Sequence, residues 1–413
     1  MDLLFCLNNI LTDFRPLFNS QNFPLFCTFI KGFVLCPWRK TITGIYTASR
    51  PKVRYWSLVK FLSRSKWDAD AEDKRLLSLL QPIFSNWVYV YDETKAIKTG
   101  KSQVGLHFFR NYRYRKQNTN QSKFHWGHQF GALGLLCQNL GQAVLFPIWV
   151  KMIQPNMKTK NSLAVFKQIV RAIPKGLIIF DRGFNRRKIF SVLLGFGHHL
   201  LCRAKSNAVF YRLPLASEQP KRGRRRKYGK RIHWPKMRFK ALKIEGQMIS
   251  VASAIGRTKM CPEVVRLVVV RTKPKKSKPY RYFVVFTTDL SLSVESILEY
   301  YRLRWQLETA FRDAKQHFGF DSYQVKSEKS INRFVQLSFV AASITQWLFI
   351  ESPKTENPTD VEEILDALGI HWYHPAKLTR GLMIAYLRFC QLFSATKANE
   401  TQSPKNDADM EAA

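Results

Sequence analysis

Four residues in the run 301–315 carry chemistry at a spacing that brings them together. Tyr301, Arg304, Glu308 and Lys315 fall within roughly one sixth of a turn if the run is helical at about 100° per residue. One face then presents a phenol, two cations and a carboxylate. Leu303, Leu307, Ala310, Phe311, Ala314 and Phe318 form an adjoining apolar stripe that can bury against a sheet. Pairing at i,i+4 accounts for Arg304 and Glu308 but leaves Tyr301 and Lys315 unexplained. Two further acids, Asp92 and Asp181, each close an apolar, strand-forming run, residues 87–91 and 177–180. A strand-end aspartate alone is often a turn or helix-cap residue. Acids gathered from different elements, however, suit phosphodiester chemistry. Two divalent ions about 3.5–4 Å apart activate the attacking oxygen and stabilise the leaving one, and magnesium takes oxygen ligands with few protein donors. The three carboxyl groups are therefore expected to converge in one cleft, at the carboxyl ends of the strands. Without a metal they should sit somewhat wide, because like charges repel.

The elements that position them can be read from spacing. Residues 129–137, 143–151 and 199–203 read as strands besides the two that end in aspartate. Residues 162–173 and 187–195 read as helices, and a long helix begins at Ser293. Strands alternating with helices imply an α/β fold with parallel sheet members. Five segments follow: a helical, DNA-binding N-terminal domain (1–80), the first part of the core (81–206), a β-rich basic insertion (207–284), the helix carrying Glu308 with the rest of the core (285–350), and a C-terminal helical region (351–413) whose tail after Thr396 is disordered. A packing bundle with a solvated basic face explains residues 1–80 equally well. Two basic runs mark the insertion: Arg224, Arg225, Arg226 and Lys227 in the first, and residues 271–281 in the second.

The spacing Y-x2-R-x3-E-x6-K, matched at Tyr301, Arg304, Glu308 and Lys315, resembles the signature of a large group of bacterial insertion-sequence DDE transposases. The segment around Asp92 with Lys98 and Lys101 looks like that family's first catalytic segment, and the segment around Asp181, with Gly183 and Phe184, looks like its second. Residues 223–229 are similar to a basic loop common in its insertion, with Arg225 where a proline is usual. The resemblance covers roughly residues 35–350. It implies a ribonuclease H-like catalytic core with a β-rich insertion, and Asp92, Asp181 and Glu308 as catalytic metal ligands for Mg2+, with Mn2+ as a substitute. It implies that Tyr301, Arg304 and Lys315 contact phosphates, that double-stranded transposon ends are cut, and that the freed 3′-hydroxyl attacks target DNA. A homodimer on DNA follows from joining two ends. Two rivals share these residues: a ribonuclease H-like nuclease or resolvase without strand transfer, and a catalytically silent DNA-binding protein derived from a transposase.

Composition agrees with a nucleic-acid partner. The formal net charge is +38, with 46% hydrophobic and 14% aromatic residues, so the chain packs a core yet needs a polyanion to neutralise it. The seven cysteines form no C-x-x-C pair, which argues against a disulfide framework or zinc site and for a reducing cytoplasm; the resemblance implies a place at the bacterial nucleoid. The H-x-x-H pairs His125/His128 and His371/His374 lack metal-ligating neighbours. Residues 334–350 read as a buried helix rather than a membrane span, and the first residues have no basic run of a signal peptide. Gly100, Lys101 and Ser102 end like a phosphate-binding loop, but Lys95 stands where its first glycine belongs.

Overall fold

The apolar spacings of the chain resolve into two units in the computed structural model, Met1–Arg75 with Asp313–Ala413, and Leu76–Arg312. The structure describes residues 3–400 except 85, 112–113, 115–121, 140–141, 157, 245, 273–279, 352–360 and 376–377. Helices α1 (Leu3–Thr12), α2 (Asn22–Leu35), α3 (Ile42–Ser49), α4 (Tyr55–Ser63) and α5 (Ala69–Leu80) come first. Strands β1 (Asn86–Lys98), β2 (His107–Arg110), β3 (Phe124–Asn139) and β4 (Gln142–Ile153) follow, then α6 (Lys158–Ala172), β5 (Leu177–Phe180), α7 (Arg187–Gly195) and β6 (His199–Arg203). Next are β7 (Phe210–Arg212), β8 (Lys240–Ile244), β9 (Gln247–Thr258), β10 (Cys261–Thr272) and β11 (Arg281–Thr287). The chain ends in α8 (Val294–Leu303), α9 (Trp305–His317), α10 (Glu328–Glu351), α11 (Val361–Ala367) and α12 (Arg380–Glu400).

The second unit is built on one sheet. β1 pairs antiparallel with β3, and β3 with β4; β5 lies parallel to β1, and β6 parallel to β5. This antiparallel–parallel arrangement, with α6 packed against β3 and β4, is the α/β architecture of a ribonuclease H-like core. The β-rich segment extends that same sheet: β11 pairs with β6, β10 with β11, β9 with β10, and β7 and β8 with β9. Most of the second basic run, residues 273–279, lies outside the described residues.

Two local readings need correction. β1 does not stop at Asp92. It continues to Lys98, held by ladder pairs from Asp92↔Ala132 to Lys98↔Trp126; Thr94 and Ala96 are buried on one face, so the later residues keep a strand's alternation. The helix begun at Ser293, whose Oγ accepts from Ser296 N at 3.0 Å, breaks once at Arg304. There the Arg304 amide donates to Tyr301 O at 3.3 Å and Leu307 N to Arg304 O at 3.1 Å. These tighter i→i+3 bonds divide α8 from α9 without disturbing the apolar stripe.

In the first unit α10 is the central helix, packed by α1, α2, α4 and α12. It is long and apolar enough to cross a membrane by those measures alone, yet most of it is buried within the protein. Its polar side chains serve the interior. Arg333 donates to the carbonyls of Phe61, Ser65 and Trp67 at 3.0, 3.0 and 2.6 Å, closing the carboxyl end of α4. Leu58, Phe61 and Leu62 of α4 are buried in this unit while Trp56 is exposed. α12 reaches Glu400, into the tail expected to be disordered, and residues 401–413 lie outside the described residues.

Candidate active site

Strand register brings the two aspartates together. β1 and β5 run parallel with Tyr91 opposite Phe180, so Asp92 and Asp181 are the next residues on neighbouring strands, which lie about 4.8 Å apart. The preceding residues on both strands, Val88 to Tyr91 and Leu177 to Phe180, are buried and fix this register. α9 brings Glu308 to the same sheet face. Its Leu307 is fully buried against Gly134 of β3, where a Cβ would stand 3.1 Å from Leu307 Cδ1 and 2.7 Å from Leu145 Cδ2. Gly134 and Ala132, the partner of Asp92, share one face of β3, so the glycine lets the helix lie close to the acid. Gln306 Nε2 fastens the first turn of α9 to Ala143 O at 2.9 Å.

Arg304, at the helix break, ties the acids together. Its Nη2 donates to Glu308 Oε1 at 3.1 Å and its Nη1 stands 3.7 Å from Asp92 Oδ2. Tyr301 Oη donates to Asp181 Oδ1 at 3.4 Å. The Asp92 carboxyl also accepts the Glu93 amide at 2.8 Å. Burial raises the Asp92 pKa to about 6, and the nearby Glu308 and Asp181 charges push the same way while the Glu93 amide and Arg304 oppose them. Burial by itself would lower the Arg304 pKa; Tyr301, Asp181, Asp92 and Glu308 together hold it above its ordinary value. The Tyr301 hydroxyl is raised by burial. Behind Asp181 the Cys202 thiol, sealed from solvent, donates to the Asp181 carbonyl at 3.6 Å.

The carboxylates nevertheless do not close on one another. Among the described residues no three Asp, Glu, His or Cys side chains are grouped closely enough to hold a metal ion. A guanidinium cation, that of Arg304, lies between Asp92 and Glu308. The Tyr301 hydroxyl is turned to Asp181, and the residue is only 9% exposed. Lys315 lies in the last turn of α9, half-buried, its pKa lowered by burial against the opposing influence of Asp321. Arg224, Arg225, Arg226 and Lys227 are all exposed, in a loop that Gln219 clasps from both sides: its Oε1 accepts from Arg226 N at 2.9 Å and its Nε2 donates to Arg226 O at 3.2 Å.

Sequence reasoning missed the wall beside the acids. Phe283, Leu298, Tyr301, Arg302, Arg304 and Trp305 line a cleft of about 300 Å³. Trp305 is 62% exposed at its mouth, and Phe283 packs on Tyr301 with ring centroids 5.4 Å apart. An exposed tryptophan next to Arg304 was the available signal.

The ribonuclease H-like sheet thus brings acids on two adjacent strands beside a third on a helix across them. Residues 142–344 match the transposase DDE domain family, and residues 14–138 match the DDE superfamily endonucleases. Both matched families are of the DDE type, and together they support a DDE transposase. Asp92 falls in the second of these matched stretches, and Asp181, Tyr301, Arg304, Glu308 and Lys315 in the first. No curated protein matches the chain. DDE endonuclease domains generally use divalent metal ions. The donors here suit such an ion in kind: carboxylate oxygens without thiolate or imidazole, around a half-buried aspartate whose pKa is raised mainly by burial.

Proposed function

We propose that this chain cuts DNA at transposon ends and joins the freed 3′-hydroxyl to target DNA, with Asp92, Asp181 and Glu308 as the catalytic, metal-holding acids. The observation that carries this reading is the Arg304 bridge, which collects Asp92 from the sheet and Glu308 from the helix beside Asp181. Mg2+, or Mn2+ in its stead, would supply activation of the attacking oxygen and stabilisation of the leaving one. The protein's own part is to hold the acids. Asp92 and Asp181 are fixed by strand register, Glu308 by the pressed helix, and Asp181 is further oriented by Tyr301. Arg304 is placed to exchange its carboxylate partners for a phosphate, onto which a guanidinium can fork two hydrogen bonds. Lys315 and the exposed loop 224–227 add point charges for the backbone. Double-stranded inverted repeats and target DNA are the partners, a homodimer on DNA pairs the two ends, and the cytoplasmic nucleoid is the setting.

The deciding experiment incubates the full chain with labelled end DNA and a target plasmid, in Mg2+ and in EDTA. Metal-dependent cleavage followed by joined products supports the reading. Cleavage without joining assigns the chain to nucleases, and binding without cleavage makes it a silent relative.

A further inference from the structure

A second surface on the same sheet is built of exposed and half-exposed rings and cations. β2 pairs with the start of β3 so that Phe108 lies opposite Trp126 and Arg110 opposite Phe124, while Lys98 of β1 lies opposite Trp126 from the other side. Directly opposed residues share a face, so these five, with Lys123 beside them, form one patch. Phe108 is 57% and Phe124 37% exposed. Their rings stack at 4.9 Å with an interplanar angle of 19°, Trp126 lies 4.9 Å from Phe108, and the Lys123 ammonium stands 5.9 Å over Phe124. Lys98 lies six residues beyond Asp92 on the same face of β1, which at about 3.3 Å per residue is ~20 Å from the acid.

Charge selects the occupant. No aspartate or glutamate occurs between Glu93 and Asp181, and Arg110 and Lys123 are exposed at the patch. A second copy of a chain with net charge +38 would be repelled from it. Exposed aromatic faces set among cations are instead what unpaired bases on a phosphate backbone require. We propose that the Phe108–Phe124–Trp126 surface binds single-stranded DNA by base stacking, holding an unpaired stretch of the strand that leads away from the active site. This rests on DNA being the substrate.

The test measures anisotropy of two fluorescein-labelled probes, an oligo-dT strand of about 20 nucleotides and a duplex of equal length. Binding is to the full chain in EDTA, so cleavage plays no part. Phe108→Ala and Phe124→Ala are expected to weaken single-strand binding by about fivefold to a hundredfold, the effect of one lost stack, with duplex binding nearly unchanged. Phe108→Tyr, which keeps the ring, should bind like the parent. Equal losses on both probes, no loss, or a change of oligomeric state in sedimentation without single-strand loss would overturn the proposal. Cleavage of end DNA by the parent chain is scored separately. If it fails while the stacking effect holds, the transposase reading falls and the platform stands.

Discussion

Arg304 Nη1 stands 3.7 Å from Asp92 Oδ2, an ion pair that joins a helix break to the middle of a strand. A guanidinium that merely paired with Glu308 along the helix would contribute about 0.2–0.5 kcal/mol and would not reach a second acid. Arg304→Ala is therefore expected to lower end binding by about tenfold or more, the worth of a charged hydrogen bond to phosphate, and to damage cleavage with it. Gel shift and cleavage on the same variant, with circular dichroism for folding, check this; near-normal values in both would refute the phosphate role.

Replacing any of Asp92, Asp181 or Glu308 by alanine should abolish cleavage in Mg2+ and leave end binding largely intact. In the proposed mechanism these side chains hold a cation rather than DNA. A variant that cuts at the parental rate removes its residue from the site.

Tyr301→Phe separates positioning from phosphate contact. The hydroxyl's long bond to Asp181, at 3.4 Å, is worth no more than about 1 kcal/mol. Cleavage should slow by at most about fivefold while end binding is unchanged. A large loss of binding would return Tyr301 to the DNA.

Neutralising Arg224, Arg225, Arg226 and Lys227 together should flatten the salt dependence of duplex binding. Each phosphate contact contributes about −0.9 to the log–log slope, so the slope should fall in magnitude by as much as about 3–4. An unchanged slope would make the loop a solvated charge run.

Glu72 predicts a pH effect on stability. It is fully buried in the first unit, neither carboxyl oxygen has a hydrogen-bond partner, and burial raises its pKa well above the ordinary 4.5, with Arg333 opposing. The folded chain thus keeps a proton that the unfolded chain releases, so stability falls as pH rises above about 4.5. Glu72→Gln removes this penalty. Its thermal midpoint should exceed the parent's by a few degrees at neutral pH and match it below the ordinary carboxylate range, where both states of the parent are protonated. Equal midpoints at neutral pH would contradict the buried, proton-bearing state.

The acids were legible because each aspartate follows an unbroken apolar run and Glu308 sits beside an apolar stripe, patterns that burial imposes locally. The continuation of β1 was not, because Glu93, Lys95 and Lys98 disguise a strand whose buried members are Thr94 and Ala96. The break at Arg304 was hidden for a different reason. A one-residue tightening leaves the hydrophobic period intact, so only the reach of Arg304 to Asp92 reveals it. The joining of β11 to β6 is a long-range pairing, and no local spacing encodes it.

The parallel register of β1 on β5 carries a consequence for any preparation of this protein. Sliding one strand by a single residue turns its side chains to the opposite face, so the aspartate would leave the cleft even if the sheet still formed. A chain trapped in that way would keep its strand content and its exposed basic loop, and so would still bind DNA while unable to cut it. The ratio of cutting to binding therefore reports what fraction of molecules folded in register, a quantity that a spectrum of secondary structure does not resolve.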